Sequence, residues 1–66
     1  MDTLKVHRVR AGLTQAELAE KIGTDPATIS DYENARSLPS GPRLQALARA
    51  LNCSADDIEL PDRAVA

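Results

Sequence analysis

Tryptophan and phenylalanine are absent from this chain of 66 residues, and Tyr32 is its single aromatic side chain. Sheets lean on aromatic and β-branched residues for their packed faces, so an all-β architecture is not expected. The apolar material is Leu, Ile, Val and Ala, which suits short, closely packed helices. A lone cysteine, Cys53, excludes an internal disulfide and a multi-thiolate zinc site, and a lone histidine, His7, adds too little for a metal cluster. No apolar run approaches the roughly 18 residues of a membrane span. Met1 leads into Asp2, Thr3 and Leu4 rather than into the basic start of a secretory leader. A soluble, cytoplasmic protein follows, with no metal, no cofactor and no membrane association. Internal repeats and low-complexity stretches are also missing, which excludes a solenoid.

What is present is ordinary for a globular domain: 42% hydrophobic and 27% charged residues. The length supports one small core and no second. Net charge is −2, which taken whole argues against a nucleic-acid partner. Its distribution weakens that argument. Residues 1–52 hold Lys5, Arg8, Arg10, Lys21, Arg36, Arg43 and Arg49 against Asp2, Glu17, Glu20, Asp25, Asp31 and Glu33, whereas Asp56, Asp57, Glu59 and Asp62 crowd the last 14 residues beside Arg63.

Helix starts and stops divide the chain into five short helical segments. The first runs from about Thr3 to Ala11 and ends at Gly12. Thr14-Gln15-Ala16-Glu17 reads as a capping box, so the second starts at Gln15 and closes at Gly23. Asp25-Pro26 joins a preferred N-cap to a preferred first residue, opening a third helix over about 26–34. Ile29 and Tyr32 point inward there, which turns Pro26, Ala27, Ser30 and Asp31 outward. Residues 35–42 form a loop in which Ser40 caps a fourth helix carrying Leu44, Leu47, Ala48 and Leu51 on one face and ending at Asn52. Ser54-Ala55-Asp56-Asp57 is expected to cap a short fifth helix anchored by Ile58, and a short frayed tail follows over 61–66.

The informative geometry lies in helices two and three. Counted from Gln15, the small Ala19 that lets two helices cross closely stands at position 5, the turn residue Gly23 at position 9 and the core residue Ile29 at position 15. This is helix-turn-helix spacing. No Ser–His–Asp arrangement, glycine-rich phosphate loop or acid pair in a recognisable cleft points to catalysis, so an enzyme is not expected.

The run Gly12-Leu13-Thr14-Gln15-Ala16-Glu17-Leu18-Ala19-Glu20-Lys21-Ile22-Gly23, followed by Thr28-Ile29-Ser30-Asp31-Tyr32-Glu33-Asn34, resembles the phage repressor and Cro (XRE-type) family of helix-turn-helix regulators. The likeness extends over about residues 4–60. It implies an all-α, lambda-repressor-like bundle of five short helices over residues 1–60, and a protein that binds double-stranded operator DNA as a homodimer, with helix three in the major groove. Carried over by position, Gln15 would hold a phosphate through its amide or side chain. Pro26, Ala27, Ser30 and Asp31 would face base edges, with Thr28 near the backbone. Asn34, Arg36, Ser37, Ser40 and Arg43 would hold flanking phosphates. Arg8 and Glu33 match a family ion pair with a structural role.

Two departures stand out. The family often places Arg, Lys or Gln on the outer face of helix three, where this chain has Pro26, Ala27 and Asp31. Proline and alanine offer only apolar contact, and a carboxylate can accept from cytosine N4, so binding is expected to be modest and salt-sensitive. Ala35 stands where the family often has glycine, and a positive φ there would strain it.

His7 reads as a packed or half-buried side chain and Cys53 as a buried free thiol. Lys21 and Arg49 read as helix surface and Arg10 as surface or a distal phosphate contact. Leu38 and the Ile58-Glu59-Leu60 end are candidate contacts for a second copy or a partner, but they read first as the ordinary surface apolar residues of a small domain. These 66 residues leave no room for a ligand-sensing domain, and they suit either a complete small protein or the N-terminal part of a longer repressor. The leading expectation is a transcriptional regulator, a repressor acting on a short palindrome. The competing one is a helix-turn-helix module whose acidic and apolar helix-three face meets a protein partner, as in an antitoxin.

Overall fold

The computed structural model describes residues 2–60. Its elements are β1 (Asp2–Thr3), α1 (Leu4–Arg10), α2 (Gln15–Ile22), α3 (Pro26–Glu33), α4 (Gly41–Ala50), a single 3₁₀ turn (Ala55–Asp57) and β2 (Ile58–Glu59). The tail expected over 61–66 lies outside the described residues.

Each helix begins at a side-chain cap that satisfies an otherwise unpaired first-turn amide. Thr3 accepts from the Val6 amide and Ser40 from that of Arg43. Thr14 and Glu17 close a reciprocal capping box: Glu17 N–H donates to Thr14 Oγ1 (3.0 Å), and Thr14 N–H donates to Glu17 Oε1 (2.8 Å). Asp25 accepts from the Thr28 amide ahead of Pro26.

The four α-helices also end alike. A residue of positive φ follows each one: Gly12 (76°), Gly23 (78°), Ala35 (62°) and Asn52 (59°). The next amide in each case reaches back five residues: Leu13 to Arg8, Thr24 to Ala19, Arg36 to Asp31 and Cys53 to Ala48. These are Schellman-type closures, which consume carbonyls that would otherwise lack partners. At Gly23 a Cβ would meet nothing within 4 Å, so the requirement is conformational and not steric.

The core consists of Leu4, Leu18, Ala19, Ile29, Tyr32, Leu47, Ala48, Leu51 and Ile58. Leu13, Ile22, Leu44, Cys53 and Leu60 pack half-buried around it. Leu18, Ile29 and Leu47 are wholly excluded from solvent, and each contributes about 1.5–3 kcal/mol of burial. Ala19, 1% exposed, has only a methyl group at the α2–α3 crossing, which lets the two helices approach closely.

The expected fifth helix is corrected. Between the Ser54 cap and Ile58 there are only three residues, enough for one 3₁₀ turn and too few for an i to i−4 ladder. Ile58 then takes an extended conformation and pairs in parallel with Asp2, as Glu59 does with Thr3. Over the described residues, the all-α expectation therefore becomes four α-helices with a small strand pair. Ile58 is buried and Leu60 half-buried against the core, which makes that segment part of the packing. Helix four stops at Ala50, since Leu51 is its C-cap and Asn52 has left the helical region. Asn34 is likewise the C-cap of α3 and not its last helical residue.

Candidate nucleic-acid interface

Where α1, the start of α2 and the end of α3 meet, Glu33 accepts from three donors. Arg8 Nε donates to Oε2 at 2.6 Å, Arg8 Nη2 to Oε1 at 3.4 Å, and Gln15 Nε2 to Oε1 at 3.0 Å. Arg8 Nη1 also donates to the Leu13 carbonyl at 2.8 Å. The Arg8 and Glu33 side chains are only 11% and 4% exposed. A charge this far from water persists only when it is paired and hydrogen-bonded, and here both partners are. The junction thereby fixes the N-terminus of α2 against the C-terminus of α3.

Gln15 is half-buried with its side-chain amide held by Glu33. The backbone amides of Gln15 and Ala16 make no hydrogen bond among the described residues, as first-turn donors do when no ligand is present. Ala16 was not singled out from the sequence. The capping box was the signal for it, because fixing Thr14 as N-cap makes Gln15 and Ala16 the first two helical residues.

Along α3, Ile29 and Tyr32 are buried, Pro26 and Ala27 are exposed, and Thr28, Ser30 and Asp31 are half-buried. Thr28 donates its hydroxyl to Asp25 Oδ1 at 2.8 Å, so it reinforces the cap. Its amide and hydroxyl together hold the Asp25 carboxyl below the usual carboxylate range. Exposed Asn34 donates from Nδ2 to the Ser30 carbonyl (2.9 Å) and to Ser30 Oγ (3.2 Å). The Asp31 carbonyl accepts the amides of Arg36 and Ser37, and its carboxylate lies 3.7 Å from Arg36 Nη1.

Beyond α3, Arg36 and Ser40 are exposed and Ser37 is half-buried. Arg43 is half-buried, and its Nη1 atom is buried with no hydrogen-bond partner.

Other singled-out side chains have structural explanations. His7 is half-buried, with Nε2 2.9 Å from the Asp57 carbonyl, which links α1 to the 3₁₀ turn. Arg10 pairs with Asp2 at 2.8 Å, holding that carboxyl below its ordinary range. Burial, with the Asp57 charge behind it, pushes the Cys53 thiol up. Among the described residues, Leu38, Val6 and Val9 are the exposed large hydrophobic side chains. Among the described residues there is no group of three or more potential metal ligands. No described helix is long and apolar enough to cross a membrane.

The sequence pattern of the helix-turn-helix family matches residues 4–58. Repressor protein C2 of Salmonella phage P22 is 33% identical over 55 residues, 83% of this chain and 26% of that protein. Human endothelial differentiation-related factor 1 is 43% identical over 44 residues, 67% of this chain and 30% of that protein. The chain thus spans about a quarter to a third of these relatives. The crystal structure of the P22 c2 repressor in complex with a synthetic operator superposes with a TM-score of 0.76 at 34% identity, covering 80% of each chain. Sequence pattern, relatives and superposed fold agree: the chain belongs to the helix-turn-helix family, of the phage repressor and Cro type.

Proposed function

We propose that this chain is a sequence-specific, double-stranded-DNA-binding transcriptional regulator, a repressor, acting as a homodimer on a short palindromic operator with α3 in the major groove. The observation that carries the reading is the superposition on a repressor bound to its operator, over 80% of the chain. The outward residues of α3 support it, because an exposed helix face beside a rigid α2 N-terminus is what groove docking requires. On this reading the protein is soluble and cytoplasmic, and it acts by binding and not by catalysis.

The roles we assign within this reading are those carried over from the family, adjusted at Gln15. Glu33 occupies the Gln15 side chain, so the phosphate contact at α2 falls to the backbone amides of Gln15 and Ala16. Pro26, Ala27, Ser30 and Asp31 meet base edges, with Thr28 near the backbone. Asn34, Arg36, Ser37, Ser40 and Arg43 flank them toward phosphates. Arg8 and Glu33 hold the two helices in place.

The test is selection from a random duplex library at two salt concentrations, with Gln15→Ala and Arg36→Ala alongside and sedimentation to count chains on the selected site. Enrichment of one palindrome bound by two chains, weakened by salt and by Arg36→Ala and little changed by Gln15→Ala, which keeps the backbone amide, is the expected result. No enrichment and no binding at low salt overturns the DNA reading and leaves the α3 face to a protein partner.

A further inference from the structure

The outer face of α3 holds one carboxylate that accepts no hydrogen bond among the described residues, that of Asp31, ion-paired at a distance with Arg36. Pro26 and Ala27 have no polar side-chain atom, the Thr28 hydroxyl donates to Asp25, and the Ser30 hydroxyl already accepts from Asn34. Asp31 differs. Its side chain is 43% exposed, and its nearest cation, Arg36 Nη1, lies at 3.7 Å, too long for a hydrogen bond. The carboxylate therefore keeps its lone pairs while a guanidinium beside it offsets its charge.

We propose that Asp31 is a specificity-determining residue that accepts a hydrogen bond from the exocyclic amino group of a cytosine, selecting a C·G pair at one position of each operator half-site. The inference rests on the DNA reading above. An ionised carboxylate can only accept, and in the major groove the base-pair donors are cytosine N4 and adenine N6. Adenine presents its N7 acceptor beside N6, so a carboxylate there meets a lone pair. Cytosine presents no acceptor beside N4, which makes it the better match. Guanine and thymine offer Asp31 acceptors alone. Near phosphates a bare carboxylate would be repelled, and Arg36 is the group that makes its approach tolerable. The two are held in register by the backbone, since the Arg36 amide donates to the Asp31 carbonyl at 2.9 Å and the Ser37 amide at 3.4 Å. Neither bond involves the Asp31 side chain, so substitutions there leave the turn intact.

The experiment selects duplexes from a random library with the full chain and with Asp31→Asn and Asp31→Ala, each checked for helicity by circular dichroism. The unsubstituted chain is expected to enrich cytosine at one position per half-site, with binding falling about tenfold when that pair is changed. Asp31→Asn should move the preference at that position alone toward adenine, and Asp31→Ala should abolish it while the other positions persist. A selected motif with no such cytosine, or one whose cytosine survives in Asp31→Ala, overturns the inference and leaves the DNA reading standing. Failure of the unsubstituted chain to bind any duplex overturns both.

Discussion

Arg8 and Glu33, 25 residues apart, meet at 2.6 Å with their side chains almost wholly withdrawn from water, and Glu33 also takes the amide of Gln15. One carboxylate therefore ties together the first three helices, and the position of the α2 N-terminus relative to α3 depends on it.

Glu33→Ala would leave the Arg8 cation buried without a counter-charge. Removing one partner of such a pair costs about 3–5 kcal/mol, a large share of the stability of a domain this small. Urea unfolding should show the midpoint collapse. Glu33→Gln, which can still accept a hydrogen bond, should lose less. Equal midpoints for Glu33→Ala and the parent chain would show that the pair contributes nothing.

Ala35→Gly should stabilise the protein. Ala35 sits at φ 62°, in the role that Gly12, Gly23 and Asn52 fill at the other helix ends. Left-handed backbone costs a non-glycine residue about 1–2 kcal/mol, partly offset by the greater unfolded-state entropy of glycine. A net gain of about 0.5–1 kcal/mol raises Tm by several degrees, and Ala35→Val should lower it. A scanning-calorimetry rank order with valine above glycine would refute this.

Acidification should remove the contribution of the Asp25 cap. Its folded pKa lies below the ordinary carboxylate value of 3.8, held down by the Thr28 hydroxyl and amide. The stabilisation is therefore complete above the unfolded pKa and is lost as pH falls through the lower, folded one. Asp25→Asn keeps a good cap without the titration. Its stability should fall less than that of the parent chain between pH 5 and pH 2 (about the carboxylate range), and parallel pH profiles would contradict the assignment.

Arg36→Ala should reduce the dependence of DNA affinity on salt. If its guanidinium meets one phosphate, the slope of log affinity against log salt becomes shallower by about 1. An unchanged slope would remove Arg36 from the phosphate contacts.

Cys53 should alkylate slowly. Burial and the Asp57 charge raise its pKa above the ordinary 9.0, which depletes the reactive thiolate at neutral pH. Iodoacetamide labelling should be slower in the folded protein than in urea, and equal rates would contradict the assignment.

Most of the architecture was readable along the chain because its determinants are local. The caps at Thr14, Asp25 and Ser40 each bond an amide three residues on, and such a bond depends on little outside its own turn. The alternation of Leu18, Ala19 and Ile22 with polar neighbours places the buried face of α2 in the same way. The ion pair between Arg8 and Glu33 was reached by resemblance, since nothing local joins residues 25 apart. The strand pair was not anticipated. Ile58 follows a cap that reads as a helix start, and only the closeness of Asp2 turns it into a strand.

Gln15 shows the same division within one side chain. As the first residue of a helix it was expected to contact a phosphate, and the sequence alone could not reveal that Glu33, 18 residues away, already held its amide. Local sequence determined where the four α-helices begin and which face they bury, because hydrogen bonds within a turn and side-chain periodicity set those features. The tertiary structure decided which polar groups are spent on one another and which remain for a partner, because that depends on distances between helices that no single segment encodes.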